Sequence, residues 1–184
     1  MKKGIFIVIS GPSGVGKDTI VNKLISDGYG IYSISMTTRE RRIGEVDGKD
    51  YFFLTKEEFE ENIKKNNLFE YAIYNGYYYG TPKDFVFNNI NNGTNVIAII
   101  DVQGAMKIES KYSDALSIFI MPPSFEELEK RLKNRHTDTE DNIRKRLEIA
   151  KKEISYKDKY DYVIVNDDLD RCINEIKNIV DTCN

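Results

Sequence analysis

The sequence predicts an α/β fold: a P-loop core with a parallel sheet covered by helices, plus an inserted arm and a charged helical pair. Three observations predict it. Short Val/Ile-rich runs alternate with amphipathic helical stretches, the pattern of strands paired in parallel and covered by helices. A glycine-rich turn, Gly11 to Lys17, directly follows the first apolar run and opens an amphipathic stretch. The segment 35–81 breaks the alternation: it is dense in arginine and tyrosine and contains Asn75-Gly76, a dipeptide favoured in tight hairpins.

The elements follow in chain order. Runs 5–9, 96–100, 116–121 and 162–165 are apolar without alternation, so each is expected as a strand buried on both faces. A weaker strand is expected near 30–34. Thr55 with Glu58 and Ser124 with Glu127 have capping-box spacing, in which hydroxyl and carboxylate each satisfy an orphan backbone N–H. Thr81-Pro82 predicts an N-cap and a first-turn proline for a helix over 83–91. The charged stretch 126–157 reads as two helices around a polar joint at 134–141. The resulting division is one domain over 1–184, with a core of 1–34, 82–124 and 158–184, an arm of 35–81 and a lid of about 125–157. No internal repeat or long linker interrupts it.

Bulk composition narrows the function. The chain has 184 residues, 40% hydrophobic and 31% charged, which suits one compact soluble domain. Its 27 basic and 30 acidic residues leave a net charge of −3, which argues against a nucleic-acid surface. Cys172 and Cys183 lack metal-ligand spacing and His136 is the only histidine, so a disulfide framework, a zinc site or a Ser–His triad has little to build on. The apolar N-terminal run is too short for a signal peptide, and no stretch approaches the ~18 apolar residues of a membrane span. A reduced cytoplasmic setting without membrane contact is expected, as a monomer or small homo-oligomer.

Gly11-Pro12-Ser13-Gly14-Val15-Gly16-Lys17 has the G-x-x-x-x-G-K spacing of a phosphate loop in its strand–loop–helix context. Glycines let backbone N–H groups curl around phosphate oxygens, the helix N-terminus adds partial positive charge, and Lys17 reaches the β- and γ-phosphates. The next position usually carries a Ser or Thr hydroxyl for Mg²⁺; here it is Asp18, followed by Thr19. Asp18 is a candidate magnesium ligand, directly or through water. Asp101 closes the apolar run 96–100, where a carboxylate can hold the metal or its water shell, or simply cap the next helix.

Between Ser35 and Tyr51 the chain packs Arg39, Arg41 and Arg42 with several hydroxyls. Arginine forks clamp phosphate dianions and tyrosine hydroxyls complete the shell, although a charged loop is by itself more often a solvated surface. With this loop, Glu70-Tyr-Ala, 76–81, Ile100-Asp-Val-Gln-Gly104, Pro122-Pro-Ser124, 131–146 and Val163-Ile-Val-Asn-Asp-Asp168 in order, the chain resembles guanylate kinase over nearly its whole length. The resemblance implies ATP-dependent phosphorylation of GMP and dGMP with Mg²⁺, by a core whose GMP-binding arm and ATP-side lid close on the substrates.

Carried over residue by residue, the resemblance places Arg39, Arg42, Tyr51 and Tyr79 on the GMP phosphate. It places Ser35, Glu70, Thr81 and Asp101 at the guanine. Guanine offers N1–H and an exocyclic amine to carboxylates and O6 to a hydroxyl, whereas adenine N1 would leave a carboxylate unpaired. On the ATP side it implies Arg131, Arg135 and Arg146 in the lid and Asn166 near the adenine. Lys17, Arg39, Arg131 and Arg146 would then stabilise the transferred group. Plainer roles compete: cross-strand pairing for Glu70, hairpin packing for the tyrosines, and an i,i+4 pair of Arg131 with Glu127. Two further departures stand out, Ile99 where the family usually has an acidic residue and His136 where it usually has glycine.

Two other functions fit the same motifs less well. A kinase for AMP or dTMP conflicts with Glu70 and Thr81. A guanylate-kinase-like binding module would typically carry a degraded phosphate loop and sit among other domains, whereas Lys17 and its glycines are intact.

Overall fold

The computed structural model describes residues 2–134 and 139–183. Strand β1 (Phe6–Ser10) and helix α1 (Lys17–Ser26) flank the glycine-rich loop. Strands β2 (Ile31–Tyr32), β3 (Met36–Thr37) and β4 (Phe52–Phe53) precede helix α2 (Lys56–Lys64). Strands β5 (Leu68–Tyr74) and β6 (Tyr77–Pro82) form a hairpin through Asn75-Gly76, followed by α3 (Lys83–Asn91), β7 (Val96–Ile99), α4 (Val102–Lys111) and β8 (Leu116–Met121). Helices α5 (Phe125–Lys133) and α6 (Glu140–Ile154), a 3-10 turn at Lys157–Lys159, β9 (Tyr162–Val165) and α7 (Leu169–Cys183) complete the chain.

Five strands form one parallel sheet in the order β2-β7-β1-β8-β9. Its two faces bury separate clusters. Ile7, Ile9, Ile97, Ile118 and Ile120 meet α1 and α7 on one side, while Phe6, Val8, Ala98 and Phe119 meet α3 and α4 on the other. Continuous apolar strands are what this two-sided burial demands. The central strands bear out the reading, with β1 displaced by one residue from 5–9 and β7 ending one residue before 100. The expected strand at 30–34 shrinks to the two residues of β2.

One strand differs in kind. Strand β9 is an edge, and its Tyr162, Val163 and Val165 are exposed while only Ile164 is buried. An edge strand pairs on one side only, so its apolar run does not imply burial on both faces.

The expected insertion is a four-stranded sheet, β4-β3-β6-β5, antiparallel except for the β3–β4 pair. The hairpin carries a bulge. Leu68 pairs with Pro82 and Tyr71 with Gly80, so Phe69 and Glu70 both stand opposite Thr81. Leu68, Phe69 and Glu70 are consequently buried in succession, which the two-residue period of a regular strand forbids. Phe69 stacks on Phe6 of the main core at 5.1 Å between ring centroids, and Glu70 turns into the cleft beside Asp101.

Caps follow the sequence in one case fully, in one by half and in one not at all. Thr55 and Glu58 form the complete reciprocal box. Ser124 accepts from Glu127 N–H, while Glu127 itself turns to Arg131. Thr81 is not the cap of α3: Pro82 occupies that position without a side-chain cap bond, because the Thr81 hydroxyl donates to Glu70 instead.

Candidate active site

The phosphate loop lies at the carboxyl end of β1, between the neighbouring ends of β7 and β8. Gly16 begins α1 at φ 100°, a left-handed backbone conformation. A Cβ there would also stand 2.8 Å from Asn166 Nδ2, so conformation and space both call for glycine. Lys17 Nζ donates to the carbonyls of Gly11 and Pro12 across the loop's mouth. Ser13, Asp18 and Thr19 are exposed, and Asp18 lies in the first turn of α1, where its charge also favours the helix dipole. Asn166 is buried beneath the loop: Nδ2 donates to Val15 O at 2.8 Å, and its backbone N–H donates to Met121 O at 2.9 Å. Its side chain thus holds the loop from below.

A second cavity, of about 210 Å³, opens on the arm side. Ser35, Tyr51, Glu70, Tyr79 and Asp101 line it, with Tyr32 and Ile99. Glu70 is 8% exposed, and Thr81 Oγ1 donates to its Oε1 at 2.7 Å. Burial pushes the Glu70 carboxyl above its ordinary range; the Thr81 hydrogen bond opposes this and the Asp101 charge reinforces it. Asp101 Oδ1 accepts Gly104 N–H at 2.7 Å as the N-cap of α4, a bond that does not use Oδ2. Capping thus occupies one oxygen of a carboxylate that also lines the cavity. Gly104 permits the approach: a Cβ would stand 2.7 Å from Ile100 Cγ2 and 3.3 Å from Glu70 Oε2.

The arm's cations are ordered by the arm itself. Arg39 lies over Tyr51, 5.5 Å from the ring centroid, and 5.8 Å from that of Phe53. Its Nη1 donates to Glu40 O at 2.7 Å and Glu45 Oε2 at 3.0 Å, and Nη2 donates to Glu45 Oε1 at 2.7 Å. Tyr51 and Tyr79 meet edge to face at 6.0 Å. Arg42 is exposed, and its backbone N–H donates to Glu45 Oε2 at 2.7 Å.

On the lid side, Leu128 and Leu132 of α5 are buried with Ile143 and Ala150 of α6, and Leu132 packs against Gly14 of the phosphate loop. Arg131 donates from Nε to Glu127 Oε1 at 3.2 Å, the expected i,i+4 pair, and from Nη2 to Asn166 O at 3.0 Å. Arg146 is half-buried on α6. Arg135 and His136 lie outside the described residues. Glu153, on the last turn of α6, faces Asp101 across a cavity of about 300 Å³. Burial raises its carboxyl above the usual range, while the Lys17 charge draws it back.

Four residues at the site escape sequence reasoning. Tyr32 and Glu153 sit on elements whose orientation depends on tertiary packing. Glu45 lies among the arginines, but nothing in its spacing marks it as the partner of Arg39. Gly104, three residues after Asp101, had a visible signal in a glycine on the first turn of a helix.

The family profile for guanylate kinase matches residues 3–183. A guanylate kinase of Caldanaerobacter subterraneus subsp. tengcongensis is 48% identical over 180 residues, spanning 97% of this chain and 87% of that protein. One from Clostridium tetani is 46% identical, spanning 98% and 86%. The crystal structure of guanylate kinase from Anaplasma phagocytophilum superposes with a TM-score of 0.73 at 38% identity, covering 98% of this chain and 86% of that one.

Proposed function

The chain belongs to the guanylate kinase family, and from that membership we propose that it transfers the γ-phosphoryl group of ATP to GMP, and more weakly to dGMP. The observation that carries the guanine reading is Glu70: a buried carboxylate, oriented by Thr81, at the wall of a cavity shared with Asp101. Adjacent N–H donors of guanine satisfy it, while adenine would leave it desolvated and unpaired.

In this reading Ser35, Glu70 and Asp101 hold the base, and Thr81 orients Glu70. Tyr51 and Tyr79, which line the same cavity, receive the GMP phosphate together with Arg39 and Arg42 of the neighbouring loop. The backbone of 11–16 cradles the ATP phosphates, and Lys17 exchanges its loop carbonyls for β- and γ-oxygens. Arg131, Arg135 and Arg146 spread positive charge over the equatorial oxygens as the phosphoryl group passes to the acceptor. The GMP phosphate oxygen attacks the γ-phosphorus and the bond to the β–γ bridging oxygen breaks, giving GDP and ADP.

The reaction's divalent metal is proposed to be Mg²⁺. Among the described residues no three His, Cys, Asp or Glu side chains form a metal-holding group, and this fits an ion that arrives on the polyphosphate and keeps several waters. Asp18 and the free oxygen of Asp101 would hold it or its water shell, and when bound it neutralises charge on the β- and γ-oxygens. Closure of the 35–81 arm and the 125–157 lid would exclude water from the transfer. Free cysteines at 172 and 183 accord with a reduced cytoplasmic setting, and no described helix is long and apolar enough to cross a membrane.

A coupled assay for ADP with Mg²⁺, ATP and a panel of monophosphates tests the proposal. GMP should be turned over fastest, dGMP more slowly, and AMP, CMP and UMP poorly. Equal turnover of AMP and GMP would defeat the guanine reading; no turnover of any acceptor would defeat the kinase reading.

A further inference from the structure

We propose that Glu45 is the positioning residue of the acceptor-phosphate site, holding Arg39 by its end-on edge so that its side-on edge meets the phosphate. The inference rests on the reading that Arg39 receives the GMP phosphate. A guanidinium has five N–H donors in a rigid plane. Glu45 takes one from Nη1 and one from Nη2, and the Glu40 carbonyl takes the second from Nη1. What remains is Nε–H and the other Nη2–H. These two are adjacent and parallel, the spacing that matches two oxygens of a phosphate. The Tyr79 hydroxyl lies within interacting range of Arg39, and Tyr79 lines the cavity.

Glu45 is itself held. The Arg42 backbone N–H donates to the oxygen that also accepts from Arg39 Nη1, so the carboxylate ties the Arg39 side chain to the backbone at Arg42. That loop is braced further along by Asp50, which accepts Val46 N–H at 2.7 Å, and Asp47, which accepts Phe53 N–H at 2.9 Å. The Arg39 and Glu45 side chains are only 11% and 20% exposed. A carboxylate acting as a rival to the phosphate would occupy the edge the phosphate needs and would have to leave with each turnover. Departure would break three N–H contacts, and the observed pairing keeps Glu45 off the side-on edge, which faces the Tyr79 hydroxyl instead. Without Glu45, Arg39 would keep its ring contacts with Tyr51 and Phe53, which fix the plane of a guanidinium better than its rotation within that plane.

Equilibrium binding of GMP and of guanosine separates phosphate from base. Glu45→Gln removes the charge but keeps the shape. It should weaken GMP by roughly tenfold or more, the scale of one lost hydrogen bond to a charged group, and leave guanosine affinity, the KM for ATP and the melting temperature unchanged. Glu45→Asp should recover part of the loss. In an Arg39→Lys background, Glu45→Gln should add little, because the residue it orients is gone. Unchanged or tighter GMP binding by Glu45→Gln overturns the proposal, as does a parallel loss of guanosine, which would make Glu45 a general support of the arm. Unchanged GMP binding by Arg39→Lys alone would instead remove the phosphate reading of Arg39 on which the proposal stands.

Discussion

The two nucleotide sides of the cleft are prepared in different ways. On the acceptor side, polar side chains hold one another and still present free groups: Thr81 orients Glu70, and Glu45 takes one edge of Arg39. On the donor side, Lys17 is engaged by the backbone carbonyls of Gly11 and Pro12, and Arg131 by the Asn166 backbone carbonyl and the Glu127 carboxylate. A cation held by carbonyls is lightly held, since an arriving phosphate offers it full negative charge. A buried carboxylate fixed by a hydroxyl selects among ligands, because the wrong base leaves it unpaired. On the proposed assignment the contrast is a division of labour, with discrimination built into the acceptor side and charge supplied opposite by cations that would exchange carbonyls for phosphate.

The largest expected effect tests the donor half of that division. Lys17→Met keeps most of the side-chain volume and removes the charge that would follow the transferring group. The kcat should fall by at least about a hundredfold, on the scale of removing one transition-state donor. GMP binding measured without ATP should be unchanged, because Lys17 donates to Gly11 and Pro12 of its own loop, away from the proposed base and acceptor-phosphate residues. A comparable loss of GMP affinity would mean that the two sides are not separately built.

A somewhat smaller effect, in binding, is expected at Glu70. Glu70→Gln should raise the KM for GMP about 10- to 100-fold, the cost of one or two hydrogen bonds to a charged group, and leave the KM for ATP alone. The pH dependence follows from the raised carboxyl. Guanine donors require the anion, so GMP affinity should decline as pH falls through the Glu70 pKa, and Glu70→Gln should flatten that decline. Stability runs the other way. The folded free protein holds this proton at a pH where the unfolded chain has lost it, so the Glu70 contribution to stability falls as pH rises through the same window. Titrating GMP affinity from pH 5 to 8 in both proteins checks the sign; an affinity that rises toward acid would exclude an ionised Glu70 as the guanine acceptor.

How far the sequence foretold these two sides differs for a physical reason. The phosphate loop is local, since strand, turn, lysine and helix are consecutive in the chain, and its motif is legible at a glance. The central strands were equally plain from their apolar runs. Strand β9 was misjudged because edge and centre share the same composition, and only pairing distinguishes them. At the acceptor site Glu70 was nameable, but its burial comes from a bulge that sets two residues against Thr81, and a bulge leaves no mark in residue spacing. The same bulge explains why Thr81 looked like a helix cap and instead serves Glu70. The Glu45–Arg39 pairing depends on how a loop folds back on itself, which composition does not encode.

The smallest effect, and the finest test of the comparison, concerns Asn166. Family resemblance places it near the adenine, whereas its side chain here donates upward to Val15 O and its carbonyl accepts from Arg131. If its main service is to hold the loop, Asn166→Asp should act on any triphosphate donor alike. The exchange removes the Nδ2 donor and sets a carboxylate against the Val15 carbonyl in a residue that is 7% exposed. An unsatisfied buried carbonyl costs about 1–3 kcal/mol, so thermal stability should drop, and the KM for ATP and for GTP as donors should rise by the same few-fold factor. Adenine recognition predicts something else, a change in the ratio of ATP to GTP use with little change in melting temperature. In either case GMP binding should hold, because none of the acceptor residues bonds to Asn166. A shifted donor ratio at constant stability would return Asn166 to the base, and the support of the phosphate loop would then rest on the Leu132 contact with Gly14.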